Sequence, residues 1–156
     1  MINIRPALPS EADLVQRISA AAYIPAYAAV IGTAPKPAFE DYRARIARKE
    51  AWLLEDARLP VAILILERHP DHLLVYSVAV LPDHQGRGHA RALLAFAETE
   101  AASTGVPELR LYTNRRMTAN LELYRRCGFR DTGARPHPSR PGEVLVDMTK
   151  RIGKAE

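Results

Sequence analysis

Apolar residues recur along this chain in two rhythms, one of period two and one of helical period. Residues 2–7 alternate as a half-buried strand does. Leu14, Val15, Ile18 and Ala22 then fall at helical spacing, behind Ser10, which is placed as an N-cap before Glu11-Ala-Asp13-Leu14. Pro25 is expected to kink or end that helix. Residues 31–37 are rich in Gly and Pro and read as irregular. Residues 39–49 read as a second helix, with Phe39, Tyr42 and Ile46 on one face. Three strands follow, at 51–55, 60–67 and 73–81, separated by turns at 56–59 and 69–72. A helix over 87–103 stops at Gly105, placed as a C′ glycine with Pro107 beyond it. A strand at 109–113, a helix at 117–126 ended by Gly128, and strands at 129–134 and 143–149 complete the chain. Antiparallel hairpins thus precede a βαβ unit, which predicts an α/β fold on a mixed, mostly antiparallel sheet flanked by helices.

At 156 residues the chain fits one domain, residues 1–156, with one substantial core. Its 47% hydrophobic and 26% charged residues are ordinary for a globular protein. It lacks a long uncharged apolar run, so no membrane span is expected. The opening Met1-Ile-Asn-Ile-Arg-Pro6 reads as a strand and not as a signal peptide. A single cysteine, Cys127, excludes an internal disulfide and fits a reducing cytoplasm. The net charge of +4 suits anionic ligands, but interspersed Asp and Glu argue against a nucleic-acid surface. His69, His72, His84, His89 and His137 show no metal-ligand spacing; each reads as a surface residue, and no metal is expected.

The densest signal lies at 78–94, where an apolar strand meets Pro82, a polar turn, two glycines and an Ala/Leu-rich helix. A strand–helix junction of this kind presents free N–H groups at the positive end of a helix dipole, an anion site. Gly86-Arg-Gly88-His-Ala-Arg91 lacks the third glycine of a dinucleotide fingerprint, and no Gly-Lys-Ser/Thr follows to make a P-loop. A glycine-tolerant turn with solvated arginines is the plainer alternative.

The junction resembles the acyl-CoA signature of the GCN5-related N-acetyltransferases, Gln/Arg-x-x-Gly-x-Gly/Ala, here Gln85-Gly-Arg-Gly88-His-Ala90. A second element of that family, a tyrosine followed by a Gly-Phe pair, matches Tyr124-Arg-Arg-Cys-Gly128-Phe129. The element order is also the family's, so the resemblance spans nearly the whole chain, most weakly over 20–50.

The resemblance implies acetyl-CoA as co-substrate. Gln85, Gly86, Arg87, Gly88, His89, Ala90 and Arg91 would cradle its pyrophosphate, mainly through backbone N–H groups, with Arg87 and Arg91 adding charge. Val78, Ala79 and Val80 would pair with the pantetheine arm as an added strand, whatever the packing of their side chains. Asn120, on the same helix face as Tyr124, would hydrogen-bond a pantetheine amide. Tyr124 would protonate the departing thiolate; otherwise it is a helix tyrosine packed beside Leu121 and Leu123. Met117 stands where many members carry Asn. No carboxylate lies between Leu73 and Leu81, where some members carry a base; Tyr112 stands where others hold a base or a water. No base is assigned.

The implied activity is direct transfer of an acetyl group to a primary amine of a small molecule or peptide, by a monomer or homodimer. A non-catalytic acyl-CoA-binding module is the alternative, motivated by Met117 and the missing carboxylate. In this family the first two helices and the late hairpin hold the acceptor, which here means Tyr23, Tyr27, Ile31, Tyr42 and the loop 137–141. Those tyrosines are either an aromatic wall for an amine or simple packing.

Overall fold

A computed structural model describes residues 1–153. The elements run β1 (Ile2–Pro6), α1 (Ala12–Val30), α2 (Arg43–Ala47), β2 (Ala51–Asp56), β3 (Leu59–Arg68), β4 (Leu73–Val80), α3 (His89–Thr104), β5 (Glu108–Asn114), α4 (Thr118–Arg126), β6 (Arg130–Pro136) and β7 (Val144–Arg151). The strands form one seven-stranded mixed sheet in the order β1-β2-β3-β4-β5-β7-β6, parallel only between β4 and β5. This is the expected fold class. No helix of the described residues is long and apolar enough to cross a membrane.

Alternation along the strands feeds two cores. Leu54, Leu64, Leu93, Ala97, Leu109 and Met148 pack on the α3–α4 side, while Val15, Ile18, Leu53, Ile63 and Ile65 pack beneath α1 and α2. In β4, Val75, Val78 and Val80 all belong to the α3–α4 side, which a regular strand would forbid. A bulge resolves this: Ile65 pairs with Ser77 and Leu66 with Val75, so Tyr76 is an extra residue and the alternation slips by one.

Several expectations change. Ser10 does not cap α1 but lies in a 3-10 turn (Pro9–Glu11), whose Glu11 carboxylate accepts the Leu8 N–H at 2.8 Å. Pro25 does not end α1, which runs on to Val30. The carbonyl that Pro25 leaves without a helical donor belongs to the exposed Ala21, where water can satisfy it. The second helix is only Arg43–Ala47. Phe39 lies before it and is 66% exposed, not on a face with Tyr42 and Ile46. Asp41 accepts the Arg43 N–H at 3.1 Å, fixing the helix start, and Lys49 at φ 60° stops its continuation. α3 begins at His89 and not Arg87, because Gly88 at φ 83° is its left-handed N-cap. Its end is as expected: Gly105 is left-handed, and Val106 N–H closes on Ala101 O at 3.2 Å.

Candidate active site between diverging strands

β4 and β5 pair only at Leu73↔Leu109 and Leu74↔Arg110. Beyond that point they part, and the rest of β4 keeps β3 on one side and, among the described residues, lacks a strand partner on the other. Antiparallel pairing fixes which groups face the opening. Leu81 N–H donates to Val61 O at 2.9 Å, so Ala79, two residues back on the same side of the bulge, turns its main chain toward β3. Val78 and Val80 turn theirs to the open edge. Val80 O there accepts the Gln85 side-chain amide at 3.1 Å, and Val78 O lies 3.4 Å from the Tyr23 hydroxyl. The expected trio therefore narrows: Val78 and Val80 present free-edge groups, and Ala79 does not, its main chain being committed to β3.

The open edge leads into the glycine loop. Gly86 and Gly88 both have positive φ, 79° and 83°, which side chains rarely adopt. A Cβ at either would meet no protein atom within 4 Å. Packing does not demand glycine there; the backbone conformation does, and it leaves the loop's outer face clear. Arg87 and Arg91 are exposed, with Arg87 Nη1 4.0 Å from Asp56 Oδ2. Ala90 is half-buried against the α3–α4 core. His89 departs from its expected place on the surface: it is 5% exposed, its ring turned inward toward Asp56.

Across the opening stands α4. Tyr124 is half-buried against the α3–α4 core, edge-on to Phe129 with ring centroids 6.1 Å apart. Burial raises its phenol well above the ordinary range, and the nearby Tyr27 phenol adds to the shift. Like any phenol it is protonated at neutral pH, and burial makes it harder still to ionise. Asn120 is half-buried one turn earlier, and Met117 is the buried N-cap of α4.

Opposite Tyr124, α1 contributes Tyr23 and Tyr27, edge-on to each other with centroids 5.9 Å apart. Tyr23 shares a 2.7 Å hydrogen bond with Ser77 Oγ on β4, and burial followed by the Tyr124 phenol raises its pKa. The three phenols Tyr23, Tyr27 and Tyr124 thus meet beside the β4 edge. Tyr42 does not join them: it is fully buried and donates to Pro37 O, so it is core and not wall. Ile31 is half-buried at the end of α1. The late hairpin comes to the segment that follows α1, where Arg140 donates to Ala34 O, and Arg116, between β5 and α4, donates to Val30 O at the end of α1. Tyr112 is 40% exposed under the Arg135 guanidinium, 4.9 Å from its ring centre. It lines a separate open cleft of about 960 Å³ with Arg110, Arg135 and Asp147, a cleft that does not include Val78, the glycine loop or Tyr124.

Ser77 and Asn114 escaped the sequence reading. Buried Asn114 ends β5, its side chain accepting the Arg116 N–H at 2.9 Å and donating to Glu143 at 3.3 Å. An Asn shortly after a strand is a turn signal; nothing local marked Ser77.

A family model described as an acetyltransferase (GNAT) domain matches residues 47–131, just over half the chain. The chain belongs to the GNAT acetyltransferases. A search of curated proteins by sequence finds no significant match. Solved structures share the fold across its length. The ribosomal-protein-S18-alanine N-acetyltransferase of Escherichia coli is 21% identical, covering 100% of this chain and 97% of its own, with a TM-score of 0.77. The PaiA N-acetyltransferase of Thermoplasma acidophilum, solved with coenzyme A, is 16% identical over 97% of this chain and 99% of its own, with a TM-score of 0.78. Nourseothricin acetyltransferase is 18% identical over 97% and 99%, with a TM-score of 0.74. At these identities the likeness is one of fold. It agrees with the layout of this GNAT chain, in which β4 and β5 part above a glycine loop.

Proposed function

We propose that this chain is an N-acetyltransferase that moves an acetyl group from acetyl-CoA to a primary amine of a small molecule or peptide, by direct transfer in a ternary complex. The observation that carries this reading is the free edge of β4, which runs into a glycine loop at one end and faces a protonated tyrosine across the opening. The residues present fit the donor. The N–H groups of Val78 and Val80 offer an extended amide chain hydrogen bonds of a missing strand, and their carbonyls do so once Tyr23 and Gln85 give way. Backbone N–H groups around Gly86, Gly88, His89 and Ala90, with the Arg87 and Arg91 side chains, suit a diphosphate. Asn120, half-buried one turn before Tyr124, would supply a further amide contact. The donor supplies an acetyl group already activated as a thioester.

The chain's own work is to orient and to move protons. Tyr124 holds its proton through the physiological range and donates it toward the leaving sulfur. Tyr23, locked on Ser77, and Tyr27 present ring faces and edges beside the same opening, suited to the cation of an incoming amine. No residue is assigned as the base; an amine that arrives partly neutral, or a water, serves that step.

The test is an acetyl-transfer screen across small-molecule amines, amino acids and free-N-terminal peptides, read as thiol release and N-acetyl product, with wild type and Tyr124→Phe side by side. Wild type is expected to acetylate at least one class. The Phe variant is expected to lose about 100-fold in kcat with acetyl-CoA affinity unchanged. A wild type that binds acetyl-CoA yet yields no product with any amine would instead describe an acyl-CoA-binding module.

A further inference from the structure

Beneath the glycine loop three side chains from separate elements converge. Asp56 ends β2 at the tip of the β2–β3 hairpin, His84 closes the 3-10 turn after β4 (Pro82–His84), and His89 is the first residue of α3. One carboxylate oxygen and one nitrogen from each ring all lie within 4.8 Å of one another. His89 is 5% exposed. Its Nε2 stands 3.2 Å from Asp56 Oδ2 but off the line a hydrogen bond requires, and it has no other partner. His84 Nδ1 is also buried and unpartnered. Buried polar atoms are rarely left so, and two together mark a missing ligand.

We propose that Asp56, His84 and His89 form a site for one divalent transition metal of the zinc class, clamping both ends of the glycine loop to the β2–β3 hairpin. Two imidazoles and a carboxylate are the donors zinc takes in sites with three protein ligands and one open position. Calcium and magnesium need more oxygen donors than these three residues supply. Ligand atoms about 2.0–2.1 Å from a tetrahedral ion stand about 3.3 Å apart, and the His89–Asp56 separation already has that value. His84 offers its ring nitrogen within 4.8 Å of both. Among the described residues Arg87 is the one arginine or lysine within 4.0 Å of the Asp56 carboxylate; it is exposed and free to turn to solvent.

The hairpin is built to hold Asp56 in place. Its two turn residues, Ala57 and Arg58, are both left-handed at φ 52° and 70°, and Ala57 N–H donates to Met1 O. His84 and His89 flank Gln85, Gly86, Arg87 and Gly88, so an ion bound to both fixes the loop at each end. None of the three ligands lies on the helix that carries Tyr124. The ion's role is therefore to stiffen the loop, and its binding does not depend on the activity proposed above.

The untagged full chain, stripped with a chelator and dialysed, is titrated with Zn²⁺ by calorimetry and with Co²⁺ by visible absorption. One equivalent per chain is expected, with the intense absorption of a four-coordinate cobalt ion and a rise in Tm on adding zinc. Asp56→Asn, His84→Gln and His89→Gln are each expected to weaken binding about tenfold or more and to abolish the Tm rise. His69 and His72, stacked with ring centroids 4.4 Å apart, are the competing histidine pair; His72→Gln is expected to bind as wild type. No uptake by wild type, undiminished binding by the three variants, or loss of binding in His72→Gln overturns the proposal. If circular dichroism shows that buried His89→Gln is unfolded, the less buried His84→Gln decides. Acetyl-CoA is absent from every arm, so failure here and failure of the proposed activity are separate results.

Discussion

Tyr42 and Tyr124 are both phenols that burial holds above their ordinary range. Tyr124 is thereby held neutral, as an ordinary phenol already is at neutral pH. In Tyr42 the pKa is pushed up to about 12 by burial, with the hydroxyl bound to Pro37 O and Ser19. A phenol whose folded pKa exceeds its unfolded value of about 10 stabilises the fold fully below pH 10 and loses that contribution between about pH 10 and 12. Tm is therefore expected to fall across that window, with the other buried tyrosines adding to the decline. Tyr42→Phe is expected to make the decline shallower while costing about 1 kcal/mol at neutral pH for the lost hydrogen bonds; thermal melts from pH 7 to 12 measure both. Tyr124 was legible in the sequence because a Gly-Phe pair follows it at a recognisable distance. The burial of Tyr42 and His89 was not, because each is decided by a partner far away in the chain: Ser19 for one, Asp56 for the other.

Among the elements, the glycine loop carries the sharpest expectation. Gly88→Val forces a β-branched residue to φ 83°, a strain of about 1–2 kcal/mol, although its Cβ meets no protein atom. A modest drop in Tm is expected, together with a loss of at least about tenfold in calorimetric affinity for coenzyme A, since the side chain fills the loop's clear outer face. Gly105→Ala, equally left-handed at φ 79° but at the far end of α3, is expected to lower Tm with affinity intact. Gly86, Gly88 and Gly105 are local devices, which is why the sequence showed them. Pro25 and α2 misled for the opposite reason. Whether a proline ends a helix depends on who can satisfy the freed carbonyl, and the exposure of Ala21 answers that only in the folded chain. The short α2 likewise yields to tertiary ties, with Arg45 buried among Glu40, Glu50 and Glu67.

At the scale of the whole molecule, the sheet is two antiparallel halves, β1–β4 and β5–β7–β6, held together at two residue pairs. Element order made the mixed sheet readable, with a parallel step after β4. The divergence of β4 and β5 was not readable from apolar periodicity, since Val78 and Val80 pack identically whether or not a strand lies beside them. That divergence is what makes a seven-stranded sheet into a binding site, and hydrogen exchange at single-amide resolution tests it most directly. Without ligand, the Ala79 amide should exchange slowly through its β3 partner, and the Val78 and Val80 amides should exchange faster from the open edge. Coenzyme A should slow Val78 and Val80 markedly and leave Ala79 unchanged. Protection of Val78 and Val80 before ligand is added, or no change when coenzyme A is bound, would contradict the account.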